Sequence, residues 1–453
     1  MRSISINRGL DIPIDGTPSS KISKDKPVTQ VALIGDDYIG MRPTMLVAVG
    51  DRVSRGQPLF TDKKNEGVLF TAPAAGTVSA INRGAKRKFE SLIIDCDGDQ
   101  SLTFCTPTTN PDHLDEQELR SLLITSGLWT AFRTRPYGKI PAVDSTPASL
   151  FVTAIDTAPL GPDINLIHEQ MKEDFLLGLN ALSGLLQVPV FVCHDAKPPG
   201  TLPEQAVCDE HVSFVSFDGP HPAGLPSTHI HLLDPVHETK TVWHIGLQDV
   251  AEIGGLLRTG TLLSERIVAL AGPSVKEPRH ISTIPGASIT EICGGELIDG
   301  ESSRLLSGSV LDGRQADTFH GFLGRYHQQI SCLPEGDGRQ LFGWLRPGGD
   351  RFSVTRAFWS AFSKPEKYPF NTAVWGGDRA IFPAGTYEKV MPLDIVPVYL
   401  LKSLASGNSE RAKELGCLEL VEEDLSLCSY VCPGKNNFAP MLRETLTTIE
   451  QEG

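Results

Sequence analysis

The stretch "LFTDKKNEGVLFTAPAAGTV", residues 59–78, decides how the first quarter of the chain is read. Two apolar runs flank a polar turn, Lys63-Lys64-Asn65-Glu66-Gly67, and the second run carries Ala-Pro-x-x-Gly-x-Val. Apolar runs bounded by Asn and Gly read as a hairpin. Outward from it lie more short β-like runs, "VALIG", "MLVAV", "GTVSAI" and "SLIIDC", with turn chemistry at Gly50-Asp51. Many short strands without intervening helices predict a small β-barrel or sandwich over residues 1–105.

The pair "VGDRVSRGQPLF" and "TAPAAGTVSAI" resembles the two quasi-repeats of a biotinyl/lipoyl carrier barrel, with Lys63 where the modified lysine would stand. A carrier lysine must stand at a tight hairpin tip. Here the strand resumes only at Val68, and two adjacent lysines blur the target. An unmodified barrel is the expectation, because a fold does not fix a function.

The remaining chain reads as three further units. "NPDHLDEQELRSLLITSGLWTAF" is helical, with Leu114, Leu119, Leu122 and Leu123 near a 3.6 period and Gly127 at its end. "SLFVTAI" and "VPVFVC" are strands around the helix "INLIHEQMKEDFLLGLNALSGLL". "TVWHIG", "QDVAEIGGLLRTG" and "ERIVALAG" add strand, helix and strand. This alternation predicts a Rossmann-like α/β domain over 106–275. Short strands around one helix, "ASITEICGGEL", predict a β-grasp-like unit over 276–380. "VMPLDIVPVYLLKSLAS" opens a helical domain over 381–453. The fold class is therefore α/β multi-domain.

Composition excludes several functions. The 453 residues, enough for about three domains, carry a formal charge of -14. Nucleic-acid binding needs a cationic surface, and simple adhesion to anionic lipid does too. No apolar run is long enough to span a bilayer, and the N-terminus lacks a signal-peptide core. The nine cysteines, at 96, 105, 193, 208, 293, 332, 417, 428 and 432, include no C-x-x-C and read as reduced thiols.

Four motifs carry possible chemistry. "NRGAKRKF" gathers Arg83, Lys86, Arg87 and Lys88 into a basic loop: a solvated turn, or a contact for an acidic partner. "SGLWTAFRTRPYGKIP" interleaves Trp129, Phe132 and Tyr137 with Arg133, Arg135 and Lys139. It reads as helix-end packing, or as the vicinity of a flat aromatic ligand such as a quinone. His229 and His231 stand at strand spacing, with His221, Cys208 and His211 nearby in sequence, and read as hydrogen-bonding rather than zinc-binding. Cys428 and Cys432 lie four apart on an expected helix, with Cys417 earlier, one short of a four-thiolate cluster. No G-x-G-x-x-G, P-loop, G-x-S-x-G or H-E-x-x-H occurs. The residues alone assign no catalytic, cofactor-binding or metal position.

Taken in order, "GLDIPIDG", "VALIGDDYIGMRPTM", "FTDKKNEGVLFTAPAAGTV", "INRGAKRK", "SGLWTAFRTRP", "FDGPHPAGLPSTHIH", "GPSVKEPR", "GSVLDG", "YEKVMPLDI" and "CLELVEEDLSLCSYVCPGK" resemble the A-type subunits of the Na+-translocating NADH:quinone oxidoreductases from Gly9 to the C-terminus. The resemblance implies a peripheral protein on the cytoplasmic side of the bacterial inner membrane. It implies five partner subunits, which hold the flavins, the iron centres and the NADH site. The complex would pass electrons to ubiquinone and pump Na+ outward, while the A-type member itself carries no redox cofactor and has been linked to quinone binding. The family is similar in fold to the NADH-binding flavoprotein of respiratory complex I and to the C-type member of the Rnf complex. From those this chain departs twice. "SGLWTAFRTRP" stands where a glycine-rich loop is expected, and only Cys417, Cys428 and Cys432 remain near a cluster position. The competing reading is an independent carrier or metal-binding protein with a modified lysine.

Overall fold

The structure, a computed structural model, describes residues 2–24, 26–110, 115–196, 210–300, 302–336 and 346–452. Leu114 and Cys208 lie outside them.

The opening stretch folds as expected. Strands Pro58–Asp62 and Leu69–Thr71 pair antiparallel, and Pro43–Met45 flanks them. The facing sheet runs Gln30–Ile34, Phe89–Cys96, Gly76–Arg83, Arg52–Val53. Phe60 stacks on Phe70 at 4.6 Å and meets Phe89 edge-on at 5.2 Å between the sheets. Aromatic burial at these offsets holds a small barrel-sandwich together.

A six-stranded sheet forms the second unit. Its order is Arg2–Ser5, Val212–Asp218, Val190–Asp195, Leu150–Ala154, Val242–Gly246, Arg133–Arg135, parallel except for the last pair. Residues alternate across it. Leu150 and Val152 join the core under the long helices, while Phe151 joins Val215 and Ile230 on the other face. Helices Ile164–Leu186 and Leu247–Thr259 cross there at two glycines. A Cβ on Gly178 would fall 2.0 Å from the Val250 carbonyl oxygen, and one on Gly254 1.8 Å from that of Asp174. Only glycine permits that approach.

A third, mixed sheet runs Arg314–Gln315, Ser303–Ser307, Gln329–Pro334, Arg266–Ala271, Arg279–Thr283, Ser19–Ser23. The short helix Ile289–Ile292 covers it, which is the expected β-grasp. Helices Pro397–Ala405, Ser409–Glu414, Ser426–Val431 and Phe438–Glu452 enclose a fourth core around Tyr387, Leu401 and Leu442. Among the described residues no helix is long and apolar enough to cross a membrane.

Two sequence expectations change. Arg266–Ala271, expected to extend the doubly wound layer, belongs to the third sheet. All six of its residues are buried, so hydrophobicity cannot say which sheet buries them. The "PSTHIHLL" stretch is a helix, Pro226–Leu233, not a strand. Proline in its first turn pre-sets the helical φ, a signal that outweighs the apolar-polar alternation.

Candidate functional site

In a doubly wound sheet, ligands bind beyond the carboxyl ends of the strands where the strand order reverses. Here the reversal lies between Leu150–Ala154 and Val242–Gly246. The chain leaves the first strand toward Val190–Asp195 on one side and returns on the other. A cavity of about 140 Å³ opens there. The α/β sheet lends it Thr153, Asp156 and Gly246; the β-grasp unit lends Asp312 and Tyr326; the helical domain lends Glu423.

Arg133, the first residue of the antiparallel edge strand, lines this cleft. Its guanidinium lies 4.5 Å from the Tyr326 ring centroid, and it donates no hydrogen bond to any described residue. The Tyr326 hydroxyl donates to the Thr130 carbonyl at 2.8 Å, which fixes the ring. Two residues on, Arg135 points beneath the cleft and is fully buried. It reaches His244 Nε2 at 2.7 Å, Ser227 Oγ at 3.3 Å and Glu423 Oε1 at 3.3 Å. Burial lowers its pKa to about 10 against the pull of Glu423. Burial and the adjacent Arg135 hold His244 well below the usual imidazole range, so the neutral ring accepts the Arg135 hydrogen bond. Burial pushes the Asp156 carboxyl up to about 6, although the Ala158 N–H donates to it at 2.7 Å. Burial, reinforced by the Glu423 charge, pushes Asp424 up to about 7. The cleft is thus an acidic, water-accessible pocket with one stacked cationic donor on its wall.

The other residues of the aromatic-basic segment do not reach it. Trp129 and Phe132 are fully buried, each 5.4–5.5 Å from the Trp243 ring. The Trp129 indole N–H donates to the Pro141 carbonyl at 3.0 Å. Tyr137 packs against the helical core, and its carbonyl accepts from Arg443. Lys139 pairs with Glu450 at 2.5 Å. The structure therefore brings Arg133 to the cleft, places Arg135 under it, and sends Tyr137 and Lys139 to the helical domain.

The N-terminus of helix Leu247–Thr259, which follows the cleft strand Val242–Gly246, carries its own anion. Asp249 in the first turn takes Arg266 at 2.5 Å and Arg325 at 2.6 Å.

The lysine hairpin is clamped. The Asn65 side-chain amide donates to the Ile140 and Pro141 carbonyls at 3.0 and 3.1 Å, while Lys63 stays exposed. The hairpin tip is thereby docked on the α/β domain through Asn65.

The histidines are engaged separately. On a helix, residues two apart point about 200° from each other. His229 Nε2 meets the Ala223 carbonyl at 2.9 Å; His231 takes Glu419 and the Asp394 N–H. Cys417, Cys428 and Cys432 are buried, and burial raises the first two thiols to about 12. The Tyr387 hydroxyl donates to Cys432 Sγ at 3.1 Å. Among the described residues these sulfurs do not converge within 4.8 Å as metal ligands. The group that does is Asp36, Glu90 and His320. The Lys88 ammonium of the basic loop already sits 2.5 Å from Asp36 and 3.7 Å from Glu90, supplying the positive charge there.

Sequence reasoning missed Asp156, Asp312 and Glu423. They come from distant segments, and only Asp156, just beyond the strand "SLFVTAI", carried a positional signal.

Comparison with known proteins places this architecture. The NqrA N-terminal barrel-sandwich hybrid domain matches residues 4–97, the NqrA second alpha/beta domain 114–262, and the NQRA C-terminal domain 267–318. The A-type member of the Na+-translocating NADH-quinone reductase of Hahella chejuensis is 52% identical over 452 residues, covering 99% of this chain and 100% of that protein. Its counterparts in Photorhabdus laumondii and Rhodopirellula baltica are 49% and 50% identical, over 99% of this chain and 100% and 98% of theirs. Among solved structures, the air-oxidised NAD+-reducing [NiFe]-hydrogenase is similar at a TM-score of 0.40 and 9% identity, covering 78% of this chain and 67% of that one. Near-complete coverage at about half identity, with three successive domain matches, shows that the chain belongs to the NqrA family, the A-type subunits of the Na+-translocating NADH-quinone reductases.

Proposed function

We propose that this chain is the peripheral, cofactor-free member of a six-subunit complex on the cytoplasmic side of the bacterial inner membrane. That complex oxidises NADH, reduces ubiquinone and pumps Na+ outward, with the flavins and iron centres in its other subunits. The observation that carries this reading is full-length identity to the named NqrA proteins. The occupied helix N-terminus and the diverging cysteines support a chain without nucleotide or cluster. A visible spectrum of the purified chain tests it: no stoichiometric flavin or iron–sulfur band is expected, and either band overturns the cofactor-free role. Restoring quinone reduction and Na+ transport by adding the chain to complex that lacks it tests the role in turnover.

Within that role, the segment Trp129, Phe132, Arg133, Arg135, Tyr137 and Lys139 lies in the vicinity of the quinone. Arg133 would meet a headgroup, a reading supported by its position on the cleft wall and its stack on the flat Tyr326 ring. A charged donor strengthens as negative charge builds on a quinone oxygen. Arg135 and the buried rings set the wall behind it. Arg133→Gln in the assembled complex is expected to raise the apparent KM for a short-chain ubiquinone about tenfold, as loss of a charged donor does. NADH oxidation with an artificial acceptor should persist. Unchanged quinone kinetics would remove Arg133 from the site.

Lys63→Ala is expected to leave turnover within about twofold, as exposed substitutions do. Intact mass should equal the sequence mass. A lipoyl or biotinyl increment would support the carrier alternative instead.

A further inference from the structure

The chain is acidic as a whole, yet residues 346–379 are not. They hold six cationic side chains, at 346, 351, 356, 364, 367 and 379, against three anionic ones, at 350, 366 and 378. The segment therefore carries +3 while the rest of the chain carries -17, from the total of -14. Its large side chains are turned outward: Trp359 is 61% exposed, Phe362 78%, Val374 71% and Trp375 53%. These rings make contacts within the segment, in two groups that meet in sequence at Phe358-Trp359. Trp359 packs on Phe362 at 5.5 Å, and the Arg351 guanidinium lies 4.1 Å from the Trp375 centroid and 5.8 Å from that of Phe358. The segment's backbone is almost free of regular structure, with a single turn of helix, Ser360–Ser363, carrying the outermost ring.

We propose that this surface rests in the headgroup region of an anionic phospholipid bilayer. Four large apolar side chains within 17 residues, 359–375, leave more than half of their surface in water. A protein-docking patch gathers its apolar groups centrally and is depleted of lysine. Here cations and rings interleave along the chain, with Lys364 and Lys367 a few residues beyond Phe362 and Arg351 laid on Trp375. That mixture suits the bilayer interface, where indole rings and cationic side chains gather together. The charge asymmetry also fixes orientation, because the -17 remainder is repelled by anionic lipid while the patch is drawn to it. The expectation that an acidic chain avoids such lipid describes the average surface and not this face.

Flotation of the full chain with vesicles tests the proposal. At low salt the chain should float with phosphatidylcholine vesicles containing phosphatidylglycerol. It should stay behind with pure phosphatidylcholine and lose binding as salt rises. Trp359→Ser with Phe362→Ser and Trp375→Ser should reduce flotation about tenfold. The charge variant Arg356→Glu, Lys364→Glu, Lys367→Glu should do the same, and it changes exposed residues only, so its circular dichroism and melting should match wild type. Failure of the wild-type chain to float with phosphatidylglycerol vesicles at low salt overturns the proposal. So does undiminished flotation of the folded charge variant. Release of this chain from lipid-free complex in detergent by the same substitutions would assign the surface to a protein partner instead, and equally overturns it.

Discussion

Asp249→Ala is expected to lower the stability of the chain by about 3–5 kcal/mol, the usual cost of removing one partner from a buried ion pair. Its carboxylate opens the helix Leu247–Thr259 and is 8% exposed. One oxygen, Oδ1, takes Arg266, which begins a strand of the third sheet, and Arg325, from the loop before that sheet's strand Gln329–Pro334. The same carboxylate also faces the positive end of its own helix. Alanine strands two guanidiniums that are 4% and 13% exposed. Glu252 remains 3.5 Å from Arg266 and absorbs part of the charge, which puts the loss toward the lower end of the range. Asp249→Asn keeps the shape and should cost about 1–3 kcal/mol. Denaturant unfolding of the isolated chain measures both, and a loss for the alanine variant below about 1 kcal/mol would show the triad to be energetically idle.

The pH dependence follows from the same geometry. Burial alone would raise the Asp249 pKa, but Arg266 and Arg325 together outweigh it and hold the carboxyl at about 2, below its ordinary 3.8. A depressed carboxyl stabilises the fold above the unfolded pKa and loses that stabilisation as pH falls through the folded one. The window is therefore from 3.8 down to about 2. Over it, roughly 2 kcal/mol should be lost in wild type and little of that in Asp249→Ala.

Much of the architecture is written locally and some of it is not. The barrel was legible because Gly50-Asp51 and Asn65-Glu66-Gly67 specify turns between short apolar runs. The parallel layer was legible from the alternation of "SLFVTAI", a long helix and "VPVFVC". Strands Arg2–Ser5 and Ser19–Ser23 were not legible, because their partners Val212–Asp218 and Arg279–Thr283 lie some two hundred residues or more away. Arg266–Ala271 shows the same limit: an all-apolar strand says that it is buried and not by which sheet. At the site, the segment 126–141 drew notice for its mixture of rings and cations. The sequence could not divide them. In the edge strand Arg133–Arg135, successive residues face opposite ways, so Arg133 and Arg135 share a face and strand alternation does not separate them. Arg133 reaches the cleft, Arg135 passes beneath it to His244 and Glu423, and the turn beyond carries Tyr137 away at φ 78°.

Phe132→Ala is the substitution that separates packing from ligand binding in that segment. The ring is fully buried, 5.4 Å from the Trp129 ring and 5.4 Å from the Trp243 ring. Trp243 stands on the strand Val242–Gly246, which forms one wall of the cleft, and its neighbour His244 takes Arg135. Truncation leaves a void beneath that strand and should cost about 3–5 kcal/mol, the range for a buried aromatic cut to alanine. Loosening of the strand would then disturb the cleft only indirectly. Phe132→Leu fills most of the volume and should cost less than half as much, about 1–2 kcal/mol. If Phe132 acts through packing, the leucine variant restores the quinone KM along with stability, whereas Arg133→Gln raises KM with stability nearly unchanged. Equal KM defects in Phe132→Leu and Phe132→Ala, in a complex of wild-type stability, would mean that the ring itself touches the quinone. A movement of helix Leu128–Ala131 and the edge strand would then be required to expose it.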